Sequence, residues 1–232
     1  MQPRYTEIRR QIDEPIPRVL DPDHPGAADS SDDLPPDDEW PAPTDYASCV
    51  ALLRRFPADS VQRVLCALTA VEAVLPVWES RIDEQAHDDE HAGDVRRAIV
   101  ALENWVRFRN PDDVRAAAQC ASRAVATASR LTSDPALRET ALNAADAMDQ
   151  AAEAAHHAAH GDRDSSASAG AVWRAALACC GGAVADPAVV ATFLRRWWSH
   201  CRRRLAWANA ASTEIRPESV RRTAVPDERL RR

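Results

Sequence analysis

The sequence predicts an all-α protein: an antiparallel bundle of six or seven helices with an irregular acidic N-terminal arm and a basic C-terminal tail. Apolar residues recur at three-and-four spacing from residue 45 to 210, and no stretch alternates apolar and polar residues as a strand would. Short loops between the predicted helices make successive helices antiparallel neighbours. The chain therefore divides into an arm at 1–43, a helical bundle domain at 44–211 and a tail at 212–232.

The arm is too polar to fold by itself. Proline, aspartate and serine dominate residues 13–45, and this composition buries too little apolar surface to offset the entropy of ordering the chain. The first helix is therefore predicted to begin at Thr44 or Asp45.

The first three helices are predicted at 45–56, 60–84 and 94–108. Pro57 is expected to end the first helix, because proline donates no backbone hydrogen bond and its ring clashes with the preceding turn. The second helix carries a long apolar stripe and contains Pro76, which is expected to kink it.

Four further helices are predicted, at 111–132, 135–160, 168–180 and 187–210. Three of them begin with a capping residue followed by proline, namely Asn110-Pro111, Asp134-Pro135 and Asp186-Pro187. The capping side chain accepts a hydrogen bond from a free N–H of the first turn. Proline fits the first helical position because an N–H there would have no partner within the helix. Gly161 and the Gly181-Gly182 pair are expected to end the fifth and sixth helices.

Alanine lines one face of both the fourth and the fifth helix. The positions are Ala117, Ala121, Ala124 and Ala128 on the fourth, and Ala141, Ala144, Ala145, Ala151, Ala152 and Ala155 on the fifth. Small side chains permit short distances between helix axes, so these two helices are predicted to form a closely packed hairpin.

The composition excludes several enzyme classes. All 29 basic residues are arginine, so the chain has no lysine for a Schiff base or a phosphate-binding loop. The six glycines form neither a nucleotide-binding loop nor the turn of a serine hydrolase. No constellation combines a nucleophile, a base and a group that orients the base. We therefore expect no enzyme, no catalytic residue and no cofactor.

The six cysteines form no CxxC pair and are expected to be reduced thiols of a cytoplasmic protein. Cys66 and Cys120 lie among apolar helix positions, where a free cysteine behaves as a small hydrophobe. The first residues lack the apolar stretch of a signal peptide, and no run of about 18 apolar residues would cross a membrane.

Charge is distributed unevenly along the chain. The net charge is −8 over residues 1–45, −6 over 46–194 and +7 over 195–232, which gives −7 in total. Such a protein is expected to attract a basic partner, and its overall charge argues against general nucleic-acid binding.

Arginine and tryptophan alternate irregularly in RRWWSHCRRRLAW, residues 195–207. Such a mixture can bind nucleic acid through phosphate pairing and stacking. Trp197 and Cys201 keep helical spacing, which places them in the core and favours an ordinary amphipathic helix, whereas Trp198 and Trp207 are not assigned. An acidic partner and a nucleic acid are the alternatives.

Three histidines and two aspartates lie close together in AAEAAHHAAHGDRD, residues 151–164. His156 and His160 share a helix face, as two zinc ligands would, and Asp162 or Asp164 could be a third ligand. The alternative is the last turn of a helix, where an imidazolium is stabilised by the macrodipole and caps free carbonyls. A glycine follows directly, so we favour the helix end and expect no metal.

The segment HDDEH, residues 87–91, repeats this spacing with His87 and His91 between the second and third helices. It can be a solvated connector, an acidic loop that binds a partner, or a metal site. It belongs to the densest acidic cluster of the bundle domain, which we take as the candidate partner-binding residues: Asp83, Glu84, Asp88, Asp89 and Glu90.

Residues 66–109 contain three motifs in a recognisable order. Val74-Leu75-Pro76-Val77-Trp78-Glu79 ends one helix, Asp88-Asp89 lies in the loop, and Arg97-Ala98-Ile99-Val100-Ala101 begins the next helix. With the alanine- and histidine-rich helices that follow, this pattern resembles the alanine-rich, all-helical immunity proteins of bacterial polymorphic toxin systems over roughly residues 60–160. The acidic arm and the seventh helix lie outside the resemblance.

The resemblance implies a non-enzymatic protein that binds and blocks a cognate toxin. An acidic inhibitor suits a basic toxin such as a nuclease, because opposite potentials steer association. The main alternative is a helical scaffold or regulatory subunit that docks onto a larger assembly through its terminal arms, and a metal-dependent enzyme using the His/Asp pairs is the third. The expected partner is another protein rather than a nucleic acid or a membrane, and no oligomeric state is predicted.

The helix-end interpretation of the histidines has a direct test. Protein purified without chelator or affinity tag should contain no stoichiometric zinc, because a helix end in a solvated loop holds ligands less rigidly than an interior site. Elemental analysis measures this. About one equivalent of zinc, lost when His156 and His160 are changed to alanine, would contradict the interpretation.

Overall fold

The computed structural model describes residues 41–57, 61–83, 93–130, 134–162, 165–182 and 185–214. Within these ranges the chain forms seven helices and no strand, which confirms the all-α prediction. The helices are α1 (Tyr46–Leu53), α2 (Val61–Asp83), α3 (Asp94–Phe108), α4 (Pro111–Ala128), α5 (Pro135–His160), α6 (Ser166–Cys180) and α7 (Pro187–Glu214). Most of the predicted arm and tail lie outside the described residues.

The helices begin at the capping residues. Asp45 accepts a hydrogen bond from the Ser48 N–H at 2.8 Å, and the Ser48 hydroxyl accepts one from the Asp45 N–H at 3.0 Å, which makes a reciprocal capping box. Asn110, Asp134 and Asp186 each accept from the N–H two residues further on, at 3.1, 2.9 and 2.8 Å. All three predicted cap-and-proline starts are therefore confirmed.

Three helices end in a left-handed residue. Gly161 (φ 69°) ends α5 and Gly181 (φ 99°) ends α6, as predicted. Arg109 (φ 58°) ends α3, although a side chain is strained in this region. Its guanidinium carbon lies 4.7 Å from the centre of the Trp105 ring, a cation–π contact that favours this conformation.

Helix α1 ends at Leu53, four residues before the proline that was expected to end it. The reason is a tertiary contact. Arg63, a buried residue of α2, donates to the carbonyl of Leu53 at 3.1 Å and to that of Phe56 at 2.7 Å. These bonds satisfy carbonyls that a helix end leaves free, so the helix can stop before Pro57.

Helix α2 runs through Pro76 without interruption, and the kink expected there stays a prediction. By length and composition its Val61–Ser80 stretch is apolar enough to cross a membrane, yet 67% of its most apolar window is buried inside the bundle. Burial of this kind is typical of a core helix.

Helix α5 lies at the centre of the bundle and contacts α2, α3, α4 and α6. The predicted packing of α4 on α5 is confirmed. Helix α5 makes a more extensive contact with the following helix, α6, for which the sequence predicted only that the two are neighbours. At Gly170 of α6 an added Cβ would lie only 2.5 Å from Gln150 Oε1 of α5, so the two helices approach closely. Alanine supplies most of the buried side chains of α5.

Because α5 is closely packed, the stability of the protein should depend on the size of its buried alanine positions. Changing Ala155, which is fully buried, to leucine should lower the free energy of unfolding by about 1–3 kcal/mol, because a larger side chain forces neighbouring helices apart. Ala159 is exposed on the same helix, and the same change there should alter stability by less than about 0.5 kcal/mol. Urea unfolding of both variants measures this, and equal effects would contradict the packing argument.

Candidate functional site

The predicted acidic partner-binding residues lie at the junction between α2 and α3. Asp83 is the last residue of α2, and Glu84, Asp88, Asp89 and Glu90 fall outside the described residues. Their assignment therefore stays a prediction. The structure does describe the helix ends on both sides of this acidic connector, residues 84–92.

Three ion pairs fix those helix ends. Arg96 of α3 donates through Nε to Glu79 Oε1 of α2 at 3.1 Å and through Nη2 to the same oxygen. Asp94, at the first position of α3, is fully buried and accepts from Arg97 at 2.7 Å and from Arg123 of α4 at 3.1 Å. Burial opposes ionisation of Asp94, but the two guanidinium groups outweigh it and lower its pKa.

The histidine cluster lies at the end of α5, as predicted. His160 Nδ1 is 2.8 Å from the carbonyl oxygen of His156, and the two rings are tilted by 39° with their centroids 4.2 Å apart. The acidic partners belong instead to His157, whose Nδ1 lies 2.7 Å from Asp162 Oδ2 and whose Nε2 lies 3.5 Å from Glu153 Oε1. Among the residues that the structure describes, no group of three or more potential ligands is placed to hold a metal ion.

Helix α7 has a buried aromatic face and an arginine-rich outer face. Trp197 and Trp198 are both buried, which settles the position of Trp198. The Trp197 indole donates to the carbonyl of Cys66 at 3.0 Å and so joins α7 to α2. Arg195 and Arg203 are exposed, which agrees with an amphipathic helix.

One arginine of α7 is an exception to that pattern. Arg204 is mostly buried, and its Nη1 lies 2.5 Å from Glu72 Oε2 and 3.1 Å from the Thr69 hydroxyl, both on α2. Its Nη2 lies 3.8 Å from Glu103 Oε1 on α3. We call Glu72, Glu103 and Arg204 the buried charge cluster. It joins three helices.

The buried charge cluster contains two carboxylates and one guanidinium. Oε1 of Glu72 and Oε1 of Glu103 are buried and accept no hydrogen bond from any described residue. Burial raises the pKa of both carboxyls. At Glu72, the positive charge of Arg204 lowers the pKa and the negative charge of Glu103 raises it further. At Glu103, the positive charges of Arg204 and Arg107 lower the pKa. The cluster can therefore take up a proton more readily than an exposed glutamate.

The contacts also define the helix directions. Glu72 of α2 and Glu103 of α3 share the partner Arg204, whereas Glu79, about two turns later on α2, pairs with Arg96, about two turns earlier on α3. Helices α2 and α3 are therefore antiparallel. Trp197 of α7 bonds Cys66 of α2, and Arg204, further along α7, bonds Glu72, further along α2. Helices α2 and α7 are therefore parallel. The acidic connector thus lies at one end of a helix pair that is tied at two levels.

No protein-family model, curated protein or solved structure matches this chain. The sequence reasoning missed the buried charge cluster, because each of its residues has ordinary helical neighbours. One signal was present: Glu72 is the only charged residue between Val64 and Trp78 in an otherwise apolar stretch. A lone carboxylate in a core stripe indicates a buried ionic partner.

The buried charge cluster predicts a specific pH dependence. The Glu103 carboxyl binds its proton more tightly folded than unfolded, so its contribution to stability falls as pH rises above the usual pKa of 4.5. Glu103→Gln leaves the Glu72–Arg204 pair in place and removes one buried charge. At pH 7 it should raise the free energy of unfolding by about 1 kcal/mol, and the gain should shrink toward pH 4.5.

Urea unfolding across this pH range measures the effect. Glu79→Gln is the matched control, because Glu79 lies on α2 in a partly exposed ion pair and its loss should cost at most about 1 kcal/mol. If Glu103→Gln instead lowers the free energy of unfolding as much at pH 7 as at pH 4.5, the raised pKa assigned to Glu103 is wrong.

Proposed function

We propose that this chain is a non-enzymatic binding protein of the toxin-immunity kind, which neutralises a basic toxin in the cytoplasm by protein–protein contact. The proposal rests on one observation. The acidic connector joins two helix ends that ion pairs attach to the bundle: Glu79 of α2 pairs with Arg96 of α3, and Asp94 of α3 pairs with Arg123 of α4. The described helix ends on both sides of the connector are therefore held in place by contacts within the bundle.

The charge of the connector supports a basic partner. The stretch between Glu79 and Asp94, which includes the connector, contains five carboxylates and one arginine. A local concentration of one sign of charge accelerates encounter with a partner of the opposite sign and contributes less to the lifetime of the complex. Fast capture suits a protein that must bind a harmful partner before that partner acts.

The thiols and several charged side chains of the described residues are buried, which supports a function carried by the surface. All six cysteines are free and buried, and free thiols agree with a reducing compartment. The buried side chains of Arg63, Asp94 and Arg204 bond groups of neighbouring parts of the bundle. These polar groups connect helices to one another and do not converge on a cleft.

The first test identifies the partner. The full chain, carrying a cleavable tag, is used to capture proteins from its native host. A single basic toxin supports the proposal, whereas a multi-subunit assembly would favour the scaffold alternative.

The second test concerns the connector. Changing Asp88 and Asp89 to asparagine and Glu90 to glutamine should slow association with the captured partner about tenfold at low salt and much less at 0.5 M salt, because screening removes long-range attraction. Stopped-flow association rates at both salt concentrations measure this. The dissociation rate and the stability of the free protein should change little.

The matched control neutralises three carboxylates elsewhere, by changing Asp112, Asp113 and Asp162 to asparagine. This variant has the same net charge as the connector variant, but its changes lie at the start of α4 and after the end of α5. If both variants slow association equally, only net charge matters. If neither does, the binding surface lies elsewhere and the assignment of the connector is wrong.

A further inference from the structure

Two thiols meet at the contact between α2 and α7. Cys201 Sγ of α7 lies 2.9 Å from Cys66 Sγ of α2, and both residues are fully buried. The positions are 135 residues apart in the chain, so only the folded bundle brings them together. The Trp197 indole bonds the Cys66 carbonyl, and Arg204 bonds Thr69 one turn further on. The pair is thus held between two polar contacts that set the register of α7 on α2.

We propose that Cys66 and Cys201 are a modification site, at which a small disulfide such as oxidised glutathione converts the two thiols into a reversible disulfide that fixes α7 to α2. The sulfur atoms need to approach each other by slightly less than about 1 Å, because the bonded distance is about 2.05 Å. This proposal does not depend on the proposed binding function.

The reaction is thiol–disulfide exchange in two steps. One protein thiolate attacks a sulfur of oxidised glutathione, which forms a mixed disulfide and releases one glutathione thiolate. The second protein thiolate then attacks the protein sulfur of that mixed disulfide and releases the second glutathione. The two protein thiols lose two protons and two electrons, and one oxidised glutathione becomes two reduced glutathione molecules.

Access requires α7 to move away from α2. Burial raises the pKa of the Cys66 thiol, so in the closed bundle this thiol is a poor nucleophile. Helix α7 packs mainly on α2 and α6, and these contacts are less extensive than those of α5 with α2, α4 and α6. Local opening of such a helix is less costly than global unfolding, so oxidation should be slow but selective for this pair.

The test treats the full-length native protein with oxidised glutathione, followed by alkylation in denaturant and peptide mapping by mass spectrometry. We expect loss of two of the six free thiols and one cross-linked peptide that joins Cys66 to Cys201. The midpoint of thermal unfolding should rise by about 10 °C and return to its starting value with dithiothreitol, because the cross-link restricts the unfolded chain.

Matched variants and conditions make the result decisive. Cys201→Ala should form no cross-link and gain no stability, whereas Cys49→Ala, which removes an equally buried thiol of α1, should cross-link as the wild type does. In denaturant the selectivity should disappear, because the bundle no longer pairs the two thiols. Six thiols that stay free, glutathione adducts without a cross-link, or cross-linking of a different pair in the native protein would each overturn the proposal.

Discussion

Helix α5 can occupy the centre of the bundle only because alanine forms most of its buried surface. It contacts four other helices, and a larger side chain on any of those faces would push an axis outward. Each alanine buries little area, so stability depends on many short contacts along a long helix rather than on a few large side chains. Apart from Met148 on α5 itself, the largest fully buried side chains lie on other helices, as with Trp78 on α2 and Trp105 on α3. This division explains how so few aromatic residues suffice for the core.

Arginine makes several of the polar contacts between the helices. Three arginines each bond two or more groups: Arg63 bonds the carbonyl of Leu53 at the end of α1 and that of Phe56, Arg123 bonds both oxygens of Asp94, and Arg204 bonds Glu72 and Thr69. A planar guanidinium with several donors can do this, whereas an ammonium offers a point charge. The chain has no lysine, and its helix contacts use this geometry repeatedly.

The buried charge cluster and the acidic connector belong to the same helix pair. Arg204 joins α2 and α3 near their middle, and Arg96 joins them again about two turns closer to the connector. Helix α7 supplies Arg204 and also Cys201, so its position on α2 governs both the charge balance and the thiol contact. The proposed disulfide would hold α7 in the place where its arginine offsets two buried carboxylates. The proposed binding surface and the interior are therefore connected through α2.

The sequence by itself determined most of the local structure, although not the end of α1. Helices α3 and α5 begin and end at the predicted residues, and the caps at Asn110, Asp134 and Asp186 are as expected, because helical periodicity and capping depend on residues only a few positions apart. Only the tertiary structure decided that α5 makes its most extensive contact with α6, and that Arg204 meets a carboxylate 132 residues away. These contacts depend on which helix faces meet, and no local pattern records that choice, because alanine-rich faces are alike and fit one another in many pairings.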